Sequence, residues 1–424
     1  MIPILEYGKI PNSEIFARVI PQANVEGTVT QIIQTVRSLG DAALRDYTKR
    51  FDGAELDDLA VSQEEIDEAF ASVSPEFIEI MESSAQNIRA FHEKQVRNSF
   101  VLTEQNGVIL GQKVTPIEKV GIYVPGGTAA LSSTVLMDAI PAKIAGCDKI
   151  VMVTPPGKDG KINPSILAAA KIAGVTEVFK LGGAQAIAAL AYGTESVPKV
   201  DKIVGPGNAY VAEAKKQVFG QVAIDMIAGP SEILIVSDGK SNPAHVAADM
   251  LSQAEHDKMA SAVLVTDSAS LAEMVRAELE KQIPLLPRAE IARTSIDNNG
   301  KIIVADNLDV VIDIANEIAP EHLELMVDAP FDYLDGIRNA GSIFMGRNCP
   351  EALGDYFAGP NHTLPTSGTA RFSSALSVDD FVKKSQFTYY TKTALDQVAS
   401  KVAYFARQEG LEAHARSAEI RSKE

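Results

Sequence analysis

The sequence predicts an α/β protein built from two doubly wound, incomplete Rossmann-like modules, with an N-terminal helical segment and a C-terminal helical tail. Three observations carry this reading. From Lys119 onward, short apolar runs each end in a Gly- or Pro-rich tip before a helical stretch, the order that builds a parallel sheet covered by helices on both faces. The hundred residues before Lys119 are dominated by helical periodicity instead. The chain has 424 residues, more than one hydrophobic core usually organises, so several domains are expected.

Taken in order, residues 1–22 read as an N-terminal arm. Ile32, Ile33 and Val36 then share one helix face, Ser62 and Glu65 have capping-box spacing, and Pro75 opens a long helical segment to about Arg97. "FVLTEQNGVILGQKV" reads as a hairpin in which Asn106-Gly107 forms a type I′ turn. The first strand series is "VGIYVPGG", "KIVMVTPPG", "EVFKLGGAQ", "DKIVGPGNAY" and "DMIAGPSE". The second is "EILIVSD", "SAVLVTD", "KIIVAD" and "GSIFMG", with the helix "PAHVAADMLSQAEH" after its first strand. Residues 23–118 with 233–377 are expected to form one α/β domain, 119–232 the other, and 378–424 a dimerisation tail. The stretch from Asn348 to about Ser377 is rich in Gly, Pro, Ser and Thr, and a connection of that length is usually functional. Beyond it, the strand-like "SQFTYYT" leads into a helical tail from about Thr393, too short to fold alone.

A formal net charge of −17 argues against a nucleic-acid surface, which needs clustered Lys and Arg. Two cysteines, Cys147 and Cys349, cannot build a disulfide framework or a thiolate-only metal site and point to a reducing compartment. No basic and apolar leader opens the chain, and no apolar run reaches the roughly 18 residues that span a bilayer. A soluble, cytoplasmic protein is expected.

In open α/β sheets ligands bind beyond the carboxyl ends of strands, which directs attention to the glycine-bearing tips. Gly126-Gly127, Gly182-Gly183 and Gly207 each precede a helix, whose free N–H groups suit a pyrophosphate, although ordinary tight turns explain them as well. Among only six histidines, His256 lies three residues after Gln253 on the expected helix, sharing a face with it while Glu255 turns away. Asp355 and His362 share the long loop, and Glu409 and His414 share the tail. None of these pairs has HExxH geometry, so spacing alone leaves a metal site open against histidines that merely end helices. His92 and His245 lack such companions and are assigned to core or surface. In "IAPEHLEL", Pro320 sets the entry to Glu321 and His322, adjacent side chains that point in different directions. One reading gives them two proton-transfer roles at one reacting centre. The other has Glu321 capping a short helix while His322 packs.

With "VPGG", "GGAQAIAALAYGT", "GPGNAYV", "AGPSE", "LSQAEH", "APEHLEL", "GDYFAGPNHTLPT" and "EGLEAH" in this order, the chain closely resembles the histidinol dehydrogenases. The resemblance runs from about residue 20 to the C-terminus, and "GPNHTLPT" with the paired "QAEH" and "PEHLEL" is specific to that family. It implies oxidation of L-histidinol to L-histidine through the aldehyde, with two NAD⁺ and one zinc per site, at the last step of histidine biosynthesis. By matching motif, zinc would be held by Gln253, His256, Asp355 and His414. Substrate contacts would come from Ser231, Gln253, His256, His322, Asp355, His362, Glu409 and His414, and NAD contacts from Tyr123, Gln185 and Asn208. His322 would take the hydroxyl proton and Glu321 would activate water. The resemblance further implies a homodimer with shared active sites, the tail crossing to the other subunit. A related zinc- and NAD-dependent dehydrogenase of another polar alcohol is the nearest alternative.

Overall fold

The apolar runs from Lys119 onward form two wholly parallel sheets in the computed structural model, which describes residues 1–18, 24–103, 105–126 and 130–423. Both lie in a first compact unit, Met1–Gln95 with Glu118–Phe381, while Val96–Ile117 with Val382–Glu424 form a second. One sheet has five strands in the order Glu177–Lys180, Lys149–Thr154, Lys119–Tyr123, Lys202–Val204, Ala223–Ile224. The other has six, in the order Ile4–Glu6, Lys301–Val304, Ser261–Thr266, Glu232–Ser237, His322–Met326, Ser342–Met345. In the five-stranded sheet the chain starts in the middle at Lys119–Tyr123, builds outward on one side, then returns to the other; in the six-stranded sheet the series from Glu232–Ser237 does the same, while Ile4–Glu6, from the start of the chain, adds at the edge beyond Lys301–Val304. The order therefore reverses beside Lys119–Tyr123 and beside Glu232–Ser237, which is the doubly wound plan.

Alternation along the strands divides the core of the six-stranded sheet. Ile235, Leu264 and Ile302 face the helices Pro243–Ala254, Ala269–Gln282 and Ala289–Asn299. Leu234, Val265 and Leu323 face the helix Leu308–Ile318. The alanine-rich helix Gly183–Tyr192 lies on the five-stranded sheet, its small side chains allowing close approach of the helix Glu26–Leu39 with Val29, Ile32, Ile33 and Val36.

Several expectations are corrected here. Helices Glu26–Leu39 and Asp41–Phe51 share the core of the five-stranded sheet rather than that of the six-stranded one, because their apolar stripes meet Ile187 and Leu190. The N-terminal arm contributes Ile4–Glu6 as a strand pairing with Lys301–Val304. "DMIAGPSE" carries no strand before Glu232 and serves as the crossing between the sheets. The helix opened by Pro75 ends at His92, followed by a 3₁₀ turn, Glu93–Gln95. The Ser62–Glu65 capping box is present in both directions.

In the second unit, Val382–Tyr390 pairs antiparallel with Val108–Pro116, whose other edge takes Phe100–Leu102. The hairpin turn is not type I′. Gly107 has φ +79° but Asn106 has no positive φ, and Val108 N–H donates to Gln105 O at 3.0 Å, so only the third turn position is left-handed. The tail helices Lys392–Gln408 and Glu412–Lys423 meet through Ala403, Ala406 and Ala415, a thin core that leaves Tyr404 and Phe405 exposed. No helix of the described residues is long and apolar enough to cross a membrane.

Candidate active site

The entry to "PEHLEL" is set by an unusual backbone. Ala319 follows the helix Leu308–Ile318 with φ +48°, its N–H capping Ala315 O at 2.9 Å. A left-handed residue normally ends a helix as glycine, and a Cβ there costs about 1 kcal/mol. The turn swings the chain through Pro320 into the strand His322–Met326, which pairs with Ile233 on one side and Ser342 on the other. Glu321 therefore does not cap a helix. It stands at the amino edge of a central strand.

Both side chains are buried and held from the neighbouring strand. Glu232 N–H donates to Glu321 Oε2 at 2.8 Å, and His322 Nδ1 lies 3.0 Å from Glu232 O. A carbonyl only accepts, so Nδ1 carries the proton and Nε2 presents its lone pair. That Nε2 is buried with no hydrogen-bond partner among the described residues, 3.7 Å from Glu351 Oε1. Burial, with the charges of Glu232 and Asp355, raises the Glu321 carboxyl well above the ordinary carboxylate range.

Around this pair the long loop folds back. Asp355 lies on a short helix, Glu351–Tyr356, with Oδ1 3.5 Å from His362 Nδ1. Burial raises the Asp355 pKa, but the hydrogen bond and charge of His362 outweigh it and hold the carboxylate below its usual range. Burial likewise lowers His362, and Asp355 more than reverses that. One ligand atom each from His322, Glu351 and Asp355 lie within 4.8 Å of one another.

Gln253 lies in the last turn of the helix Pro243–Ala254, both polar atoms of its buried amide unpartnered among the described residues. His256, contrary to the expectation from spacing, does not share that helix with it. The helix ends at Ala254, and His256 follows in a turn, its N–H bonded to Gln253 O at 3.2 Å. His256 is solvent-exposed along one side, yet crowding desolvates the ring and lowers its pKa, against the opposing pull of Asp355. Ser231, half-buried, immediately precedes the strand Glu232–Ser237. Glu409 and His414 belong to the second unit, where both are exposed, at the end of one tail helix and within the next. His92 is buried and His245 exposed.

The tips of the five-stranded sheet bring together Tyr123 and Gln185. Tyr123 Oη accepts from Gly183 N–H at 3.1 Å, and the buried Gln185 Oε1 has no partner among the described residues. Asn208 is exposed and spends its side-chain oxygen capping the helix Ala209–Val218 through Tyr210 and Val211 N–H. The glycines allow the tips to touch. A Cβ at Gly205 would lie 2.2 Å from Tyr123 O, and one at Gly126 would meet Pro155 at 2.4 Å. Gly127 lies outside the described residues.

A family model for histidinol dehydrogenase matches residues 18–422. The chain belongs to the histidinol dehydrogenase family. It is 57% identical over 393 residues to the histidinol dehydrogenase of Geobacillus kaustophilus, covering 93% of each chain. With that of Clostridium acetobutylicum it shares 53% identity over 428 residues, covering 100% of this chain and 99% of the relative. A crystal structure of histidinol dehydrogenase from Elizabethkingia anophelis aligns with TM-score 0.95 and 41% identity, covering 100% of this chain and 98% of that one.

For a histidinol dehydrogenase, the donor set bears on the metal that the resemblance implies. A buried amide with no partner among the described residues is costly unless something engages it, so Gln253 fits a cation or a polar ligand, and the depressed Asp355 carboxylate fits a cation. The unpaired Gln185 Oε1 next to Tyr123 fits a hydrogen-bonding cofactor group in the same way.

Sequence reasoning missed Glu324, Glu351 and Asp138, all buried. Glu351 N–H donates to Glu324 Oε1 at 2.7 Å, and Ser252 Oγ donates to Glu351 Oε2 at 3.0 Å. Glu324 had a signal: it is the acidic residue in an otherwise apolar strand, two places after His322 and therefore on the same side. Glu351 had none, since its partners arrive from distant strands and helices.

Proposed function

We propose that this chain catalyses the NAD-dependent, four-electron oxidation of L-histidinol to L-histidine through L-histidinaldehyde, the last step of histidine biosynthesis, as a zinc-dependent cytoplasmic homodimer. The observation that carries the reading is the pinned His322: its Nδ1–H is committed to Glu232 O, which leaves a buried Nε2 as a base. Zinc held by Gln253, His256, Asp355 and the tail's His414 would anchor the substrate, and NAD at Tyr123, Gln185 and Asn208 would supply the hydride acceptor. His322 Nε2 takes the hydroxyl proton as the carbinol carbon is oxidised. Glu321, held by Glu232 N–H, then takes a proton from water as it adds to the aldehyde. His322 deprotonates the resulting hydrate for the second oxidation. Ser231, His362 and Glu409 add substrate contacts. Two oxidations at one carbon thus use two neighbouring bases.

The exposed aromatic side chains of the second unit, among them Tyr389, Tyr404 and Phe405, support a tail that docks on a partner subunit. The cluster of His322, Glu351 and Asp355 favours a second assignment of the cation, with His322 as ligand in place of His256. Incubation with histidinol and NAD⁺, following NADH absorbance, tests the function: no NADH, with histidinol recovered, would end it. Metal content of His256→Ala and His322→Asn separates the two ligand sets, because only loss of a true ligand empties the purified protein.

A further inference from the structure

Asp138 is a carboxylate in the helix Ser132–Ala145 with no exposure to solvent. Its Oδ1 accepts from Thr363 Oγ1 at 2.7 Å. Its Oδ2 has no partner among the described residues. That oxygen faces the cofactor tip, where a Cβ at Gly205 would stand 3.1 Å from it. The same helix makes two further contacts with the loop holding Thr363. Met137 O accepts from Asn361 Nδ2 at 2.6 Å, and Thr134 Oγ1 lies 3.2 Å from His362 Nε2. Three successive loop residues are therefore held by one helix of the five-stranded module. That helix follows the Tyr123 tip and abuts the Gly205 tip, while the loop belongs to the site built around the six-stranded sheet.

A stretch needing only mechanical adhesion would be served by neutral groups, since burying a carboxylate with an unpaired oxygen is costly. Hydride transfer, by contrast, requires donor and acceptor carbons to be held within a few tenths of an ångström of a reactive spacing, and a misplacement of about 1 Å is worth about 10² in rate. We propose that Asp138 is a positioning residue for the hydride transfers: by holding Thr363 and abutting Gly205, it sets the spacing between the loop that carries His362 and the strand tip that takes the cofactor. This rests on the functional reading above, because His362 and the tip must serve one reaction.

The test uses the full-length, metal-loaded enzyme with Asp138→Asn, Thr363→Val and Thr363→Ser. Melting temperature, NADH affinity by fluorescence, kcat, and the isotope effect on carbinol-deuterated histidinol are measured for each. Asp138→Asn and Thr363→Val are expected to stay folded and to bind NADH within about twofold of wild type. Their kcat should fall about 10- to 100-fold, with an enlarged isotope effect as the chemical step becomes limiting. Thr363→Ser keeps the hydroxyl and should retain most of the rate. A residue that only stabilised the fold would lower the active fraction and leave the isotope effect unchanged. Wild-type kcat and isotope effect in a folded Thr363→Val would overturn the proposal, even if Asp138→Asn failed to fold. A wild-type enzyme that does not oxidise histidinol would instead overturn the functional reading, and this inference with it.

Discussion

Removing the charge of Asp138 should make the protein more stable at alkaline pH. Its carboxyl is pushed up to about 7 from an ordinary 3.8, chiefly by burial, with the Asp225 charge adding to the push and the Thr363 hydrogen bond, His362 and Lys215 opposing it. A raised native pKa means that the folded state holds the proton more tightly. The associated stability is fully present below pH about 4 and is lost as pH rises through about 7. The difference, 7 minus 3.8, is 3.2. At 1.36 kcal/mol per unit this corresponds to roughly 4 kcal/mol, an upper figure for a charge in so polar a neighbourhood. An asparagine in its place has nearly the same volume and carries no charge at any pH, but its neutral amide holds the Thr363 hydroxyl less firmly than the carboxylate does. Asp138→Asn should therefore melt above wild type at pH 8 by a few degrees, since each kcal/mol moves the midpoint by about 2–4 °C in a chain of 150–250 residues and by less in a longer one. The difference should shrink as pH falls from 7 and vanish only below about pH 4. Scanning calorimetry of both proteins from pH 4 to 8.5 measures this directly. A difference in midpoint that does not vary with pH would refute the reasoning, because a change of packing alone has no proton linkage.

Three further outcomes follow from the site. Glu321→Gln should leave alcohol oxidation measurable while slowing aldehyde oxidation about 10²–10⁴-fold, whereas His322→Asn should depress both; equal losses on histidinol and histidinaldehyde for Glu321→Gln would count against separate roles. Stripping metal with a chelator should abolish turnover with little change in far-UV circular dichroism, since both sheets have extensive cores of their own; global unfolding would make the site structural. Mixing inactive His256→Ala and His414→Ala homodimers should restore activity once subunits exchange, because one site of each heterodimer then combines an intact body with an intact partner tail. A mixture still inactive after demonstrated exchange would exclude crossing tails.

Much of the candidate site could be named from the sequence because its residues are concentrated in short segments. "PEHLEL" places Glu321 beside His322 in the sequence itself, and "LSQAEH" does the same for Gln253 and His256. Glu351 was not legible: it belongs to a loop segment and gains meaning only when His322 comes within 3.7 Å and Ser252 donates to it. His256 shows the limit of spacing, since periodicity extended the helix past Ala254, where the backbone instead turns.

By itself the sequence determined the parallel α/β class, the Ser62 capping box, the helix opened by Pro75 and the family, because each depends on residue types at short, regular spacings. Only the tertiary structure decided which core receives the helices Glu26–Leu39 and Asp41–Phe51, since an apolar stripe specifies burial but not its partner. It also decided the tautomer of His322, through a carbonyl 90 residues earlier in the chain, and the left-handed turn at Ala319 that delivers that histidine to the strand edge. The same is true of Asp138, an ordinary acid in an apolar helix until Thr363, 225 residues later, folds onto it. Such contacts join residues with no local periodicity in common, so their geometry exists only once the sheets have formed and the long loop has closed over them.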